Sequence, residues 1–374
     1  MKKRFLALAL ALTLAAGTGL ATGGSTGDPL ISLSYLTSTF LPSLMSQVDQ
    51  RLQSANAATY DQAKADLMAA AAQLQSQLPS DESYNEQLTE RRVKTGDLIS
   101  CPTGSTFVLL AGSTTLAEGL AVDATNAYDV YVNTALESGH RYITPEDAPA
   151  VYLVTSDSAV VATQGYFTLT PSAGFDCNQL ADALNTMGIF KGTNVTIGKG
   201  YNLEATPSRI QGLIMFLRLL GEEQAALACT SAHPFNDVPG WCAPYVAYAY
   251  EKGYTKGVDL EGGRFGTHGV LTATQYVTFV LRALGYQDSG PLPDFAWDTA
   301  MDYCQSIGLL TSGEAAKFSS GDFLRAHMVY LSYYALSFPQ KGGAPLLDKL
   351  IASGALDAST AMLTMNGVTS PRIA

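Results

Sequence analysis

The chain has 374 residues, room for two or three domains at about 150 residues each. Its 47% apolar content excludes a wholly disordered or low-complexity protein. With 22 basic against 33 acidic side chains and a net charge of -11, it carries no basic surplus to neutralise phosphates, which argues against nucleic acid as a partner.

The first 27 residues hold Lys2, Lys3 and Arg4, a twelve-residue apolar run from Phe5 to Ala16, and small residues with a small-x-small cleavage site ending at Ala21. That is the layout of a secretory signal peptide. Twelve residues make a helix of about 18 Å, too short for a bilayer core of about 30 Å, and no later stretch is long and apolar enough to span. The predicted mature product is exported, soluble and without a membrane span, and no cysteine near the cleavage site offers a lipid anchor.

Residues 28 to about 87 are predicted helical, with Tyr60, Leu67, Leu74 and Leu78 forming an apolar stripe beside the Ala-rich stretch Ala69 to Ala72. Over three heptads such a stripe is read as a packing face rather than a coiled coil. From residue 88 to 170 the pattern changes to short β-rich runs, Phe107 to Leu110, Tyr128 to Val132, Val151 to Thr155 and Ala159 to Ala162, punctuated by glycines. This predicts a small antiparallel β sandwich or barrel. Beyond Pro171 the chain is predicted helical to about residue 340, followed by a tail over 341–374.

The helical half repeats. Ser208 to Gly221, Thr272 to Gly285 and Leu324 to Ser337 align as three amphipathic helices. Ser208 with Gln211, and Thr272 with Gln275, have the spacing of a capping box; Leu324 breaks it in the third copy. Gly221 and Gly285 stand where a left-handed cap ends a helix. Upstream of each lies a shorter helix closing on Gly188, Gly253 or Gly308, and the first two continue as G-x-x-x-G to Gly192 and Gly257. The fold class is therefore mixed α+β and multidomain: N-terminal helices, a small β domain, then an all-α body of three repeats spanning about 175–221, 234–285 and 295–337.

PFNDVPGWCAPYVAYAYEKGYTKG, from Pro234 to Gly257, with the following FGTHGVLTATQYVTFVLRALGY, resembles an S-layer homology repeat. The first and third copies match it less closely. A helical lead and a glycine-punctuated β segment ahead of such repeats look like secreted clostridial-type cell-surface proteins. The resemblance implies a pseudo-threefold helical bundle that anchors the protein to the cell wall by binding secondary cell-wall polysaccharide, often through a pyruvylated sugar. Carried over by position, the implied polymer-binding residues are Arg209 and Arg325 of the tetrads, Trp241, Asp237, and the glycines Gly188, Gly192, Gly253 and Gly257. Ala273 stands where the middle tetrad's cation belongs. From the residues alone, Asp237 also reads as a helix cap, Trp241 as core, and the two arginines as solvated face residues. The charge balance favours the repeats as the anionic polymer's partner, since residues 28–170 carry -10 and residues 171–374 only -4.

Signs of catalysis are thin. Gly23, Ser25 and Gly27 spell G-x-S-x-G without a strand before or a helix after. His140, His233, His268 and His327 lack metal-ligand spacing, and His327 reads as an ordinary half-buried side chain. Cys101, Cys177, Cys229, Cys242 and Cys304 show no C-x-x-C, so they read as small buried thiols, with a Cys229–Cys242 bridge left open. The reading is a non-catalytic display protein needing no cofactor. The alternative is a ligand-binding or hydrolytic module in 88–170, in which His140, Arg141, Glu146 and Asp147 would converge in one pocket. N-terminal sequencing of the protein from cells should find a start near residue 22; a retained Lys2 would refute export by cleavage.

Overall fold

The computed structural model describes residues 39–77, 83–145 and 148–373. The signal-peptide segment, the G-x-S-x-G match, Leu78, Glu146 and Asp147 lie outside these. The chain divides into two compact units, Met1–Ser80 and Asp81–Ala374.

In the first unit, α1 (Leu41–Gln77) runs 37 residues, about 55 Å. The expected packing stripe is not buried where side chains are described: Leu67 is 72% exposed and only Tyr60 is partly covered.

The second unit opens with a strand. β1 (Ser83–Lys94) starts inside the segment expected to be helical. It is followed by β2 (Leu98–Cys101), β3 (Thr106–Ala111), β4 (Thr114–Glu118), β5 (Ala121–Asp123), β6 (Tyr128–Val130), β7 (Arg141–Ile143), β8 (Ala150–Val154) and β9 (Ser158–Thr170). Every pairing is antiparallel. The thirteen-residue β9 is the spine, with β1 along one edge and β2 then β3 along the other. The sheet runs β4-β8-β2-β9-β3-β7-β5-β6. It almost closes on itself, because Leu116 in β4 donates to Thr134 O (3.1 Å) and accepts from Asn133 N (2.8 Å) just after β6. Of the sandwich and the barrel, the structure has the barrel-like form. Alternate residues fill its interior, among them Ile99, Phe107, Leu116, Tyr142 and Phe167. Phe107 stacks on Tyr152 at 4.0 Å.

The helical body comprises α2 (Cys177–Thr186), α3 (Arg209–Leu220), α4 (Glu223–Leu227), α5 (Ala243–Glu251), α6 (Ala273–Ala283), α7 (Ala300–Ser306), α8 (Ser312–Ser319) and α9 (Arg325–Ser337), then α10 (Leu346–Ala352) and α11 (Ala358–Gly367). All three aligned segments are helices, and α3, α6 and α9 are largely buried in one core. Gln211 and Gln275 each accept their cap residue's backbone N–H at 3.1 Å. Gly221 and Gly285 are left-handed, with φ 78° and 89°. The expected tail instead holds α10 and α11, whose Leu346, Leu350 and Ala361 are wholly buried against the body. All five cysteines are free thiols, so the Cys229–Cys242 bridge is absent.

Barrel and helical body meet through polar contacts. Asp157, in the turn before β9, lies among α2, α8 and α9. Its carboxylate accepts from His327 Nε2 and from Lys317 Nζ, both at 2.8 Å, and its carbonyl accepts from Cys177 Sγ at 3.1 Å. His327 is thus not an ordinary half-buried residue. Its Nδ1 accepts the Leu324 backbone N–H (3.1 Å), which leaves the proton on Nε2 for Asp157. That bond also stands in for the missing glutamine of the third capping box. Glu90 accepts from Gly198 N (2.7 Å), Arg92 pairs with Asp182 (2.5 Å), and Asn178 Nδ2 reaches Val93 O (3.1 Å).

Burial alone would raise the Asp157 pKa, but the bonds from His327 and Lys317 outweigh it and hold the carboxyl below its usual range. Its stabilisation is therefore present above the unfolded carboxyl's pKa and lost as pH falls through the lowered one. Asp157→Asn should cost about 3 kcal/mol at pH 7, the scale of breaking a buried pair, and should flatten the fall in melting temperature on acidification below about pH 4. Thermal melts of the full chain from pH 2 to 7 check both.

Candidate functional site

The N-termini of two long helices are built into the loop of a neighbouring repeat. Arg209 N and Ile210 N, at the start of α3, donate to Gly269 O (2.8 Å) and Thr267 O (3.3 Å) ahead of α6. Arg325 N and Ala326 N, at the start of α9, donate to Ala205 O (2.8 Å) and Leu203 O (3.0 Å) ahead of α3. These bonds satisfy amides that a helix start leaves open, and they carry each arginine side chain over the next copy's glycine loop.

The two side chains meet different ends. Arg325 is 3% exposed; its Nε donates to Tyr201 O (2.9 Å), its Nη2 to Lys191 O (3.4 Å), and its guanidinium lies 5.0 Å from the Phe190 ring centre. Burial pushes its pKa down to about 10. Arg209 is half-buried over Phe265 at 5.2 Å, with Nη2 3.5 Å from Thr255 Oγ1. Its Nε is buried without a hydrogen-bond partner, and among the described residues no carboxylate pairs with it. Burial, and then repulsion from Arg282, lower its pKa. Neither arginine is a solvated face residue. Thr255, Phe265, Phe190 and Tyr201, which complete these surroundings, lie in irregular loops where no periodicity marks them.

Asp237 does not cap a helix, since α5 starts at Ala243 with Cys242 as its N-cap. Its two carboxylate oxygens each accept a backbone N–H, from Phe265 and Gly266, at 2.7 Å, and Thr267 Oγ1 donates to its carbonyl at 2.8 Å. Asp237 thereby pins the loop on which Arg209 rests. A Cβ on Gly266 would lie 3.7 Å from Arg209 Cδ. Trp241 is not core: it is 62% exposed, at the start of α5. Gly188 and Gly253 end their helices in the left-handed region with open space around them. Gly257 is crowded instead. A Cβ there would sit 2.5 Å from both Arg264 O and the Phe235 ring. At Gly192 it would meet Gly200 O at 3.0 Å.

In the β domain, His140 Nδ1 bonds to Asp123 (2.8 Å) and Arg141 Nη2 to Gln164 (2.8 Å); Glu146 and Asp147 lie outside the described residues. A cleft of about 460 Å³ between β1 and α2 is lined by Glu90, Arg92, Lys94, Asp97, Asp182 and Lys199. Within it Arg92 and Lys199 pair with Asp182 and Lys94 with Asp97, whereas Arg91, which also lines it, lies over the Phe167 ring with its Nε buried and without a hydrogen-bond partner. Among the described residues no three His, Cys, Asp or Glu side chains group as a metal site, and no helix is long and apolar enough to cross a membrane.

No family model matches the chain. Among solved structures, coconut allergen cocosin (12% identity, 27% of this chain and 29% of that one) and ToxT from Vibrio cholerae (9%, 78% and 97%) both reach a TM-score of 0.15, too low to carry any argument. Curated relatives are more informative. The chain is 34% identical over 101 residues, a quarter of its length, to a cell surface protein of Thermoanaerobacter kivui, and 27% identical over 183 residues, 48% of its length, to the middle cell wall protein of Brevibacillus brevis. These stretches span 13% and 17% of those longer proteins. By sequence, the chain is a distant relative of bacterial cell-surface and cell-wall proteins.

Proposed function

We propose that the protein is exported to the cell surface and held there non-covalently, its helical repeats binding secondary cell-wall polysaccharide, with no catalytic role of its own. The observation that carries this reading is the state of Arg209. Arg218, Arg282, Arg325 and Arg372 all spend their guanidinium groups on carbonyls or carboxylates. Arg209 has an unpartnered Nε, a neighbouring cation in Arg282, and a place in the first turn of α3, where the helix adds about half a positive charge. A carboxylate arriving there, such as that of a pyruvylated sugar, would gain a charge-assisted bidentate contact and relieve the repulsion. Trp241 is exposed for stacking on a sugar ring. The names of the relatives point the same way.

Arg209→Ala should reduce retention of the full chain on purified cell-wall sacculi ten- to a hundredfold, a loss of ~1.5 to 3 kcal/mol, and Arg209→Lys should restore only part. The loss should shrink at high salt. Arg325→Ala should instead lower the melting temperature, because Arg325 is already bound to carbonyls. Undiminished retention by Arg209→Ala, with an unchanged melt, would reject this groove as the polymer site.

A further inference from the structure

In the first two repeats one arginine in the last turn of the long helix performs the same task. Arg218 of α3 donates through Nη1 to Ile189 O (3.4 Å) and through Nε to Glu223 (2.9 Å). Arg282 of α6 donates through Nη1 to Tyr254 O (2.8 Å) and through Nε and Nη2 to Asp288 (2.9 and 2.7 Å). Ile189 and Tyr254 each follow the left-handed glycine, Gly188 or Gly253, that ends the shorter helix. The arginine thus ties that helix's turn to the long helix and places its charge against an acid. In the third repeat the glycine is Gly308, the residue after it Leu309, and the aligned position on α9 is Tyr334, which carries no cation.

The missing group comes from elsewhere in the chain. Arg372 Nη2 donates to Leu309 O at 2.8 Å, and its Nε and Nη2 each reach Glu314, both at 2.7 Å. Its guanidinium lies over the Tyr334 ring, 4.6 Å from the centre. Carbonyl, acid and aligned position are thus all met by a residue 38 positions after Tyr334. The neighbouring residues reach both the first repeat and the third. Ser370 Oγ accepts from Asp176 N (2.7 Å), Gln179 Oε1 accepts from Thr369 N and Ser370 N (2.9 and 2.7 Å), and Ile373 N donates to the Tyr330 hydroxyl (3.0 Å).

We propose that residues 369–373 form a strap that replaces the third repeat's absent arginine and fastens α2 of the first repeat to α8 and α9 of the third. Glu314 makes the strap necessary. Its side chain is fully buried, accepts from Thr311 N and from the Tyr330 hydroxyl, and has Arg372 as its only cation among the described residues. Without that guanidinium, a buried carboxylate is left uncompensated.

Five full-length variants, Glu314→Gln alone among them, test this by thermal melting and by amide hydrogen exchange. Arg372→Ala should lower the midpoint by about 5 °C or more, and Arg372→Lys by less, since a point charge cannot span both carboxylate oxygens and the carbonyl. Exchange at residues 309–319 and 176–182 should rise by about tenfold or more in Arg372→Ala, while 273–283 stays protected. Adding Tyr334→Arg to Arg372→Ala returns the cation to its place in the other repeats and should recover at least half the midpoint. Adding Glu314→Gln to Arg372→Ala should cost far less than the sum of the two single changes. An Arg372→Ala protein that melts and exchanges like the parent would overturn the proposal. So would strictly additive Glu314 and Arg372 losses, or a loss of protection spread evenly over all the helices.

Discussion

A single carboxylate, Asp157, organises the larger unit. It leaves the barrel on the turn before β9, its longest strand, and takes its hydrogen bonds from α9 and α8, while the backbone of the same residue holds the thiol at the start of α2. A charge this deep is tolerated only when fully partnered. The partnering ties the turn before β9 to α2, α8 and α9 at one point. The other contacts across the junction, Glu90 to Gly198 and Arg92 to Asp182, lie within the frame it sets.

Two arginines that align in sequence thereby acquire different surroundings. Arg325 opens α9, the helix held by Asp157, and its side chain is drawn under the first repeat's loop until carbonyls use up its donors. Arg209 opens α3, whose partner loop is fixed from the far side by Asp237 gripping the amides of Phe265 and Gly266. The loop stops short of enclosing it. Equivalent positions in a repeat need not stay equivalent once one copy is docked against another domain.

The sequence showed what depends on neighbours three or four residues apart. The capping boxes, the glycine-ended helices and the three long helices are all signals of that range, and the structure has them, although α9 is buried on nearly every face rather than amphipathic. β1 escaped because SYNEQLTERRVK is polar on both faces, and its strand character comes from pairing with residues more than sixty positions away. The helices α10 and α11 escaped because each spans ten residues or fewer and gains its stability from the core it lands on. His327 standing in for glutamine, and Asp237 as a loop pin, require knowing which backbone amide lies near in space. Within the candidate site the arginines and glycines were legible, whereas Thr255 and Phe265 were not.

Among the described residues β1 pairs only with β9, and its other edge is covered at the Val93 end by Asn178 of α2, while the residues up to about Glu90 are largely exposed. Such an edge invites another chain to add a strand. Its first residues carry charge at Glu86, while Glu90 and Arg92 farther along are already engaged by Gly198 and Asp182. Charge at such an edge is one of the ways a sheet discourages a further strand from pairing with it.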